Sequence, residues 1–470
     1  MKKKLGILLL VFAVLNVSVF TVVPAEQAEG KVSISADSAV VMDVQSGTML
    51  YKKNMNKKEY PASITKIMTA LVAIENSSLS EVVTFSKSAV MNLERGASTA
   101  NIKVGEKMTM EQTLYAVLLA SANEACNGVA EHIAGSVNNF VKMMNTRAKE
   151  LGCTGTHFAN ANGLWMKNHY TTAHDMALIA QAAYKNPIFA KIVGTKRYNI
   201  PKTNKVKSGH ALHNHHGMLL ANPSYPQYEY EYCVGGKTGF TRKCRYTLVT
   251  YAKKDGMTLV SVIMRAPNSP WTEPNEYTDT TSLLNSSFQK YRRYRIQDTA
   301  TTEINNQYLF TRFSPYYKQA TSSLSIDSDA GVILPKGVNL NQTKKNVEFY
   351  KSPKTDKEGK KIIGKLTYTY KNQNVGGSNI YYKNKSTPTL RDSIDMSQWF
   401  DEAVEKANAE PFPWKKAGII AILVLAIGAA IVLIIWRLRV QREQRARRNH
   451  YKKNRKRFSE RNKIYLNRKW

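Results

Sequence analysis

The chain has 470 residues, of which 43% are hydrophobic, and its formal net charge is +33 at pH 7. This length and apolar content exclude a disordered protein and allow two or three domains. The composition also excludes collagen, coiled-coil and low-complexity proteins, and four cysteines are too few for a disulfide scaffold.

The N-terminus has the features of a secretory signal. Three lysines at residues 2–4 precede a long apolar run at residues 5–23, and small residues follow that would permit cleavage after Ala25. We therefore expect residues 1–25 to be a signal peptide. The apolar run is long for a signal, so an uncleaved anchor is the alternative, and it would not change where the following chain lies.

Residues 30–292 combine helical and strand patterns. A β-hairpin is predicted at residues 39–51, and the helix predicted at residues 63–76 has almost no polar face, so we expect it to be buried. Strands before and after a block of helices indicate an α+β domain with a mainly antiparallel sheet flanked by helices. The further helices are predicted at residues 110–120, 124–134 and 137–151, and the further strands at 234–239, 246–252 and 257–264.

Short β patterns replace the helical ones after about residue 291. They predict a small all-β domain at residues 293–388. Residues 391–416 follow, with an amphipathic helical pattern that we expect to lie on or near a membrane. The β patterns occupy residues 332–334, 347–350, 362–370 and 379–382.

Residues 417–436 contain no charged side chain and, as a helix, would span the hydrocarbon core of a bilayer, about 30 Å. The tail at residues 437–470 contains fifteen lysines and arginines and two glutamates. Because an excess of positive charge marks the cytoplasmic side of a membrane span, we expect a single-pass protein of the cell membrane. Residues 26–416 would then lie on the extracellular face.

The basic tail has two interpretations. Next to a membrane span, it is expected to determine topology and to contact anionic membrane lipid. Basic runs also bind the phosphates of nucleic acids, which is the alternative. The sequence contains no organised nucleic-acid-binding motif, so no nucleic-acid partner is expected.

Three short motifs carry the chemistry of residues 30–292. Ser63 and Lys66 form a Ser-x-x-Lys motif at the start of the buried helix, one turn apart on the same face. Ser-Ala-Asn at residues 121–123 falls between two predicted helices, and Lys-Thr-Gly at residues 237–239 ends a predicted strand. Each motif is weak alone. Together and in this order, they are the set found in penicillin-binding proteins and class A β-lactamases.

Residues 38–290 resemble the low-molecular-mass penicillin-binding proteins that act as serine-type D-Ala-D-Ala carboxypeptidases, peptidase family S11. The predicted β domain is similar to the C-terminal domain of that family. The resemblance implies a β-lactamase/DD-peptidase-like fold, and removal of the terminal D-alanine from peptidoglycan stem pentapeptides, with β-lactams as covalent inhibitors. The stretches that carry it are residues 61–70, 118–125, 156–158, 162–164, 169–173, 175–178 and 236–239.

A serine hydroxyl needs a base to become an effective nucleophile, and no Ser-His-Asp set is evident in the sequence. Lys66 is therefore the candidate base for Ser63, and it must be neutral to accept a proton. Burial and a second ammonium, such as that of Lys237, would both lower its pKa. Ser121 is the candidate relay of the proton to the leaving amine, and Asn123 the candidate ligand of the substrate amide.

The Lys-Thr-Gly strand is the candidate substrate-binding strand. A substrate that ends in a free carboxylate needs a cation and a hydroxyl donor, which Lys237 and Thr238 supply. The strand, including Gly239, can also pair with the peptide backbone. For the oxyanion, the backbone N–H of Ser63 is one expected donor, and the resemblance implies the N–H of Phe240 as the second.

Several residues outside the three motifs are further candidates for function. Arg242-Lys243-Cys244-Arg245 replaces residues that are usually small in the family, and these cations would alter the pocket rim or the deacylation rate. We expect no carboxylate to lie close enough to the histidines at 210–216 to complete a metal site, so no metal and no cofactor are expected. The resemblance implies instead that this stretch is a loop bordering the active site. The four cysteines are expected to be free thiols or core fillers.

Other functions remain open at this point. A DD-endopeptidase or a β-lactamase would use the same motifs. Against a β-lactamase, no Glu-x-x-x-Asn element is evident between Asn123 and Lys237, and those enzymes lack the β domain. A non-catalytic penicillin-binding sensor or scaffold is the third possibility, but a sensor needs a cytoplasmic effector domain, and the tail at residues 437–470 is too short and too charged to form one.

Overall fold

The structure is a computed structural model of the chain. Its described residues up to 382 belong to one compact unit. The structure describes residues 32–382 apart from 92, 94–95, 222–225, 268–273, 297–323 and 357–358. It also describes the single residues 437 and 441.

The described elements follow in chain order. The strands are β1 (Ser38–Asp43), β2 (Met49–Lys53), β3 (Val82–Thr84), β4 (Lys107–Thr109), β5 (Arg197–Ile200), β6 (His210–His213), β7 (Cys233–Thr241), β8 (Arg245–Lys254), β9 (Met257–Ala266), β10 (Tyr291–Arg295), β11 (Leu324–Ile326), β12 (Gly331–Pro335), β13 (Lys344–Thr355), β14 (Lys361–Tyr370) and β15 (Gln373–Tyr382). The α-helices are α1 (Lys66–Asn76), α2 (Lys87–Met91), α3 (Met110–Leu118), α4 (Asn123–Ala134), α5 (Val137–Glu150), α6 (Ala173–Tyr184), α7 (Pro187–Val193) and α8 (Asn275–Lys290).

The central layer is a five-stranded antiparallel sheet in the order β2-β1-β9-β8-β7. Every residue of β1 is buried, because both faces of the sheet are covered. On one face Val40 and Met42 join a large core with helices such as α1 and α6, and on the other Ala39 and Val41 pack with Leu283 of α8. The predicted α+β architecture with an antiparallel sheet is confirmed.

Helix α1 lies in the middle of the larger core. Its residues from Lys66 to Ala73 are all buried, which explains the almost uninterrupted apolar pattern. A 3₁₀ turn at Ala62–Thr65 leads directly into it. The predicted helix at residues 63–76 is therefore an α-helix preceded by a tighter turn, and Ser63 lies in that turn.

A second sheet follows α8. Its strands follow the order β10-β12-β15-β14-β13, and neighbouring strands are antiparallel. Strand β11 pairs with residues 380–382 of β15, beyond the part that pairs with β12. Strand β10 starts at Tyr291, immediately after α8 ends at Lys290, and Ile333 of β12 belongs to the core beneath α8. The described part of residues 293–388 is thus mainly β, and the boundary of the predicted all-β domain stays a prediction.

The expected targeting and membrane segments lie outside the described residues. These are the signal peptide at 1–25, the amphipathic segment at 391–416 and the span at 417–436, and of the tail only Arg437 and Gln441 are described. Among the residues that the structure does describe, no helix is both long enough and apolar enough to cross a membrane.

Candidate active site

The Ser-x-x-Lys motif forms a direct contact. The 3₁₀ turn and the first turn of α1 bring Lys66 Nζ to 2.9 Å from Ser63 Oγ. Ser63 is half-buried and therefore reachable by a substrate, whereas the Lys66 side chain is 0% exposed. The residue before the serine, Ala62, has φ 53, a left-handed conformation that is unfavourable for alanine. Such backbone strain is typical of functional sites.

The other contacts of Lys66 are two amide oxygens. Its Nζ lies 2.9 Å from Asn123 Oδ1 and 2.6 Å from the carbonyl oxygen of Asn162. These oxygens only accept hydrogen bonds, so they take two N–H donors of the amine. A neutral amine has two hydrogens and one lone pair, which is then left for the hydroxyl hydrogen of Ser63. A charged Lys66 would donate to all three oxygens, whereas a neutral Lys66 could accept the serine proton through its lone pair.

The burial of Lys66 favours the same protonation state. Loss of hydration lowers its pKa, while the nearby Cys126 and Glu124 act weakly in the opposite direction. His169, close to Lys66, is held neutral, since burial lowers its pKa to about 3. Among the described residues, no carboxylate is in hydrogen-bond contact with this buried amine, which is the environment that a lysine base requires.

Asn123 is oriented by the loop before α3. Its Nδ2 donates to the carbonyl oxygen of Ser98 over 2.9 Å, which turns Oδ1 towards Lys66. That loop is held in turn by Glu124, whose Oε1 accepts from the hydroxyl of Thr99 and from the N–H of Ala100 at 2.7 Å. Glu124, absent from the predicted site, therefore supports the position of Asn123.

A second loop, residues 159–164, supplies the carbonyl oxygen of Asn162. A Cβ on Gly163, which has φ +87, would lie 1.9 Å from the carbonyl oxygen of Ala62, so only glycine allows this close packing. His169 fixes the loop from behind, because its Nδ1 accepts the N–H of Ala159 and its Nε2 therefore donates to Thr65 Oγ1 over 2.9 Å. The sequence signal for this loop is the Asn-Gly-Leu stretch at 162–164.

Strand β7 passes directly beside the nucleophile. A Cβ on Gly239 would lie 2.4 Å from Thr247 Oγ1 and 2.8 Å from the backbone nitrogen of Ser63. Thr247, opposite Gly239 on β8, donates to the carbonyl oxygen of Pro61 over 2.8 Å. The glycine of the Lys-Thr-Gly motif thus allows the strand to pack against the turn that carries Ser63. Strand β7 continues to Thr241, two residues beyond its predicted end.

Lys237 is the second buried amine of the site. It is 1% exposed, and its Nζ donates to the carbonyl oxygen of Thr238 over 2.8 Å. Burial lowers its pKa well below the usual value, and the positive charge of Lys66 lowers it further. A carboxylate would offset both effects. Lys237 is therefore suited to bind an anion that comes with the substrate.

The remaining predicted residues surround this centre. Ser121, 3% exposed, has φ 56 and lies in the connection between α3 and α4. Thr238 is half-buried on β7, whereas the Phe240 side chain is 45% exposed next to Tyr246. Strand β7 ends the order of its sheet among the described residues, so its outer edge is open to a peptide.

The histidines at 210–216 have separate environments. The expectation that no carboxylate lies near them is wrong, because Glu106 lies 2.7 Å from His210 Nε2. The chain folds β6 back against the loop before β4, a contact between residues 104 positions apart that spacing does not reveal. His216 is buried, 3.0 Å from Thr250 Oγ1, and burial lowers its pKa to about 4. Within the described ranges, no group of three or more His, Cys, Asp or Glu is arranged to hold a metal ion.

The four cysteines are unpaired, as expected. Cys126 is buried in α4 near the two lysines, and burial raises the pKa of its thiol to about 11. A thiol with this pKa stays protonated, so it is not a competing nucleophile at neutral pH.

Comparison with known proteins agrees with this arrangement. A family model described as D-alanyl-D-alanine carboxypeptidase, Peptidase S11, matches residues 24–268. The D-alanyl-D-alanine carboxypeptidase DacF of Bacillus subtilis is 30% identical over 354 residues, which cover 73% of this chain and 83% of the relative. DacA of Haemophilus influenzae, also a D-alanyl-D-alanine carboxypeptidase, is 28% identical over 75% of this chain and 85% of its own.

The solved structure of a D-alanyl-D-alanine carboxypeptidase from Mycobacterium tuberculosis is 30% identical, with a TM-score of 0.49, and covers 55% of this chain and 92% of its own. The family model alone matches more than half of the chain, and the Bacillus relative is matched over most of its length. The chain therefore belongs to the peptidase S11 family of serine-type D-alanyl-D-alanine carboxypeptidases.

Proposed function

We propose that this protein is a membrane-anchored serine DD-carboxypeptidase that removes the terminal D-alanine from peptidoglycan stem pentapeptides through an acyl-enzyme on Ser63. The observation that carries this proposal is the buried Lys66 amine, 2.9 Å from Ser63 Oγ, with two amide oxygens as its other contacts. When Lys66 is neutral, which its burial favours, this arrangement leaves a lone pair for the serine proton. It needs neither a metal nor a cofactor for the transfer.

In the first half of the reaction, Lys66 takes the hydroxyl proton while Ser63 Oγ forms a bond to the carbonyl carbon of the penultimate D-alanine. The oxyanion that develops is stabilised by the backbone N–H groups of Ser63 and Phe240. The bond between carbon and the amide nitrogen then breaks. Ser121 relays the proton from Lys66 to that nitrogen, and the terminal D-alanine leaves as a neutral amine.

In the second half, water replaces the leaving group. Lys66, again neutral, accepts a proton from the water, whose oxygen bonds to the ester carbon. The Ser63 ester bond breaks, and the proton returns to Oγ. A β-lactam ring follows only the first half, because its amine stays tethered at the site after opening and hinders water. β-Lactams are therefore proposed as covalent inhibitors.

Recognition of the free carboxylate distinguishes an exopeptidase from an enzyme that cuts within a chain. Lys237 and Thr238 are proposed to bind the terminal carboxylate, Asn123 the substrate amide, and the open edge of β7, including Gly239, the peptide backbone. Burial of Lys237 supports this role, since an unpaired buried ammonium is costly and a bound carboxylate removes that cost.

The location of the enzyme is part of the proposal. The signal sequence at residues 1–25, the apolar segment at 417–436 and the basic tail at 437–470 support a single span with the catalytic domain on the extracellular face. The tail would contact anionic membrane lipid on the inner side. The peptidoglycan substrate is outside the membrane, so this topology places enzyme and substrate in the same compartment.

The test combines covalent labelling with turnover. Incubation with labelled penicillin is expected to modify Ser63 and no other serine, as read by mass spectrometry of the digested adduct. A peptide ending in D-Ala-D-Ala should release one equivalent of D-alanine. Ser63→Ala should abolish both signals. Label on another serine would contradict the mechanism, whereas labelling without D-alanine release would favour the non-catalytic penicillin-binding sensor or scaffold.

A further inference from the structure

Three exposed or half-buried side chains surround the nucleophile turn on its outer side. Trp165 is 39% exposed, and the Lys243 ammonium lies over its ring, 5.4 Å from the centroid. Tyr60 packs edge-on against the same ring, with the centroids 6.1 Å apart. We call Tyr60, Trp165 and Lys243 the rim cluster. None of its members takes part in the proposed transfer reaction.

The rim cluster is held next to Ser63 from three directions. Tyr60 is followed at once by Pro61, Ala62 and Ser63 in the chain. Trp165 comes two residues after Gly163, which packs against the carbonyl oxygen of Ala62. Lys243 lies in the short turn after β7, the strand that touches Ser63 at Gly239. Three separate segments therefore meet on one side of the nucleophile.

The direction of β7 shows which part of a substrate would reach this cluster. Lys237 and Thr238 are proposed to bind the terminal carboxylate, and Gly239 lies beside Ser63, where the scissile carbonyl must be. A peptide along the open edge therefore continues past Thr241 towards Lys243. An extended strand rises about 3.3 Å per residue, so the four steps from Lys237 to Thr241 span roughly 13 Å. The residue directly before D-Ala-D-Ala lies two steps, roughly 7 Å, from the terminal residue, so only a long side chain on it would reach the rim cluster beyond Thr241.

The charge of this rim is positive and uncompensated. Neither Arg242 nor Lys243, both exposed, forms an ion pair within the described part of the chain. The acidic groups nearby are already paired, since Asp37 binds Arg265 at 2.9 Å and Glu59 binds Lys57 at 2.8 Å. Arg265 also donates to the backbone carbonyl oxygen of Lys243, which fixes the turn.

Resting on the proposed function, we propose that the rim cluster is a specificity subsite for a long side chain ending in a carboxylate, on the residue directly before the terminal D-Ala-D-Ala. The methylene groups of such a side chain would lie on the Trp165 ring, and its carboxylate would meet the Lys243 ammonium that is held over that ring. The aromatic face supplies apolar contact, and the ammonium selects acid over amide.

The experiment uses two matched substrates with the full-length enzyme. Both are N-acetylated tripeptides ending in D-Ala-D-Ala, and their first residue is either α-aminopimelate or its side-chain amide. Wild type should cleave the acid with a kcat/KM about two- to fivefold higher than the amide, the range of a partly exposed ion pair. The difference should lie mainly in KM and should shrink at high salt.

Lys243→Gln should bring the acid-to-amide ratio close to one, and Trp165→Ala should raise the KM of both peptides. Lys254→Gln is the matched control, because Lys254 also lies over an aromatic ring, that of Tyr232 at 4.2 Å, but at the opposite end of β8. It should keep the wild-type ratio. Labelling of each variant by penicillin verifies that its active site is folded.

The outcomes separate this subsite from the proposed function itself. If wild type cleaves neither peptide, the carboxypeptidase proposal fails. If it cleaves both with equal kcat/KM, or if Lys243→Gln keeps the preference for acid, the enzyme stands and the subsite is overturned.

Discussion

At the scale of single residues, the two buried lysines have different surroundings and different proposed tasks. Lys66 has two amide oxygens and the Ser63 hydroxyl within hydrogen-bond distance. Lys237 donates only to the neighbouring carbonyl oxygen of Thr238 in the hydrogen bonds of the described residues. The first amine has no room for another ligand, whereas the second can exchange a weak local contact for a substrate anion.

The role of Lys237 can be tested with a D-Ala-D-Ala peptide and its C-terminal amide. Loss of a charge-assisted hydrogen bond costs about 1.5–3 kcal/mol, so wild type should cleave the amide about 10- to 150-fold more slowly. Lys237→Ala should reduce the cleavage rate of the free-acid peptide by at least the same factor. It should cleave the acid and the amide at similar rates. The two changes are then non-additive, as for partners in one contact. Equal cleavage of acid and amide by wild type would favour an endopeptidase.

Glu276 offers a prediction for stability that is independent of catalysis. It is 5% exposed in the first turn of α8, and burial raises its pKa to about 7. An unfolded glutamate ionises near 4.3, so the folded state binds more protons between these values and loses stability as the pH rises from about 4 to above 7.

Glu276→Gln should therefore stabilise the protein by about 1–3 kcal/mol at pH 8 and have little effect at pH 5. Chemical unfolding of the purified protein at both pH values measures the difference. Glu231→Gln is the control, because Glu231 is exposed and its substitution should have a small effect at either pH. An equal change at pH 5 and pH 8 for the Glu276 variant would contradict the assignment.

The side chains of the three motifs were predictable from sequence because their chemistry depends on residue type. The groups that orient them were not. Lys66 binds the carbonyl oxygen of Asn162, and Asn123 binds that of Ser98, and a backbone carbonyl leaves no mark on the residue that carries it. Glu124 acts through a loop 22–25 positions earlier in the chain, a contact that only the fold creates.

At the scale of elements, the closeness of β7 to the 3₁₀ turn depends on one glycine. An added methyl at Gly239 would meet Thr247 Oγ1 and the Ser63 nitrogen, and the strand or the turn would have to move. A displacement of about 1 Å in a catalytic arrangement can cost about 10²-fold in rate. Gly239→Ala should therefore slow acylation of Ser63 by penicillin about 100-fold.

The control for this change is Gly256→Ala in the turn between β8 and β9. Gly256 has φ +74 but open space around the position of an added Cβ. Both variants should have a lower free energy of unfolding than wild type. For Gly256→Ala the decrease should be about 1 kcal/mol, because alanine is strained at this backbone conformation. Only the Gly239 variant should lose acylation. If both variants acylate at the wild-type rate, the close approach of β7 is not needed for the reaction.

Three of the longer helices were predicted well, whereas two other long helices and several short strands were missed. The predicted helices at 110–120, 124–134 and 137–151 correspond to α3, α4 and α5 within a few residues. Helix α6 (Ala173–Tyr184) was not predicted, because seven of its twelve residues are buried and it shows little polar contrast. Helix α8 (Asn275–Lys290), the longest helix of the described residues, was not predicted either. Strands β3 to β6 are three or four residues long, too short for an alternating pattern to stand out.

At the scale of the whole molecule, the second sheet is not separate from the first. Lys185 at the end of α6 has Asp43 of β1 and Asp327 after β11 among the charges that influence its pKa, although burial still lowers that pKa. A cavity of about 920 Å³ lies between these segments. Sequence patterns predicted a β region but could not predict this juxtaposition, since Lys185 is more than 140 positions from both Asp43 and Asp327 in the chain.

Membrane attachment is the prediction that concerns the chain as a whole. Full-length protein in its host should stay in the membrane pellet after alkaline carbonate extraction, because residues 417–436 are long and apolar enough to span the bilayer. A chain ending at residue 390 should appear in the soluble fraction outside the cytoplasm and still bind penicillin. Release of the full-length chain by carbonate would contradict the anchor.

The proximity of two buried amines has a consequence for when the enzyme becomes ready to react. Burial lowers the pKa of Lys237, and the positive charge of Lys66 lowers it further, so a state in which both amines are charged is disfavoured. In the proposed binding mode, a substrate carboxylate at Lys237 would favour the charged form of that lysine, and the charge on Lys237 would in turn favour the neutral form of Lys66. In the proposed mechanism, the correct chain end thus does more than dock. Its carboxylate would also favour the neutral form of Lys66, the form that can act as the base. A ligand without a carboxylate would not have this effect.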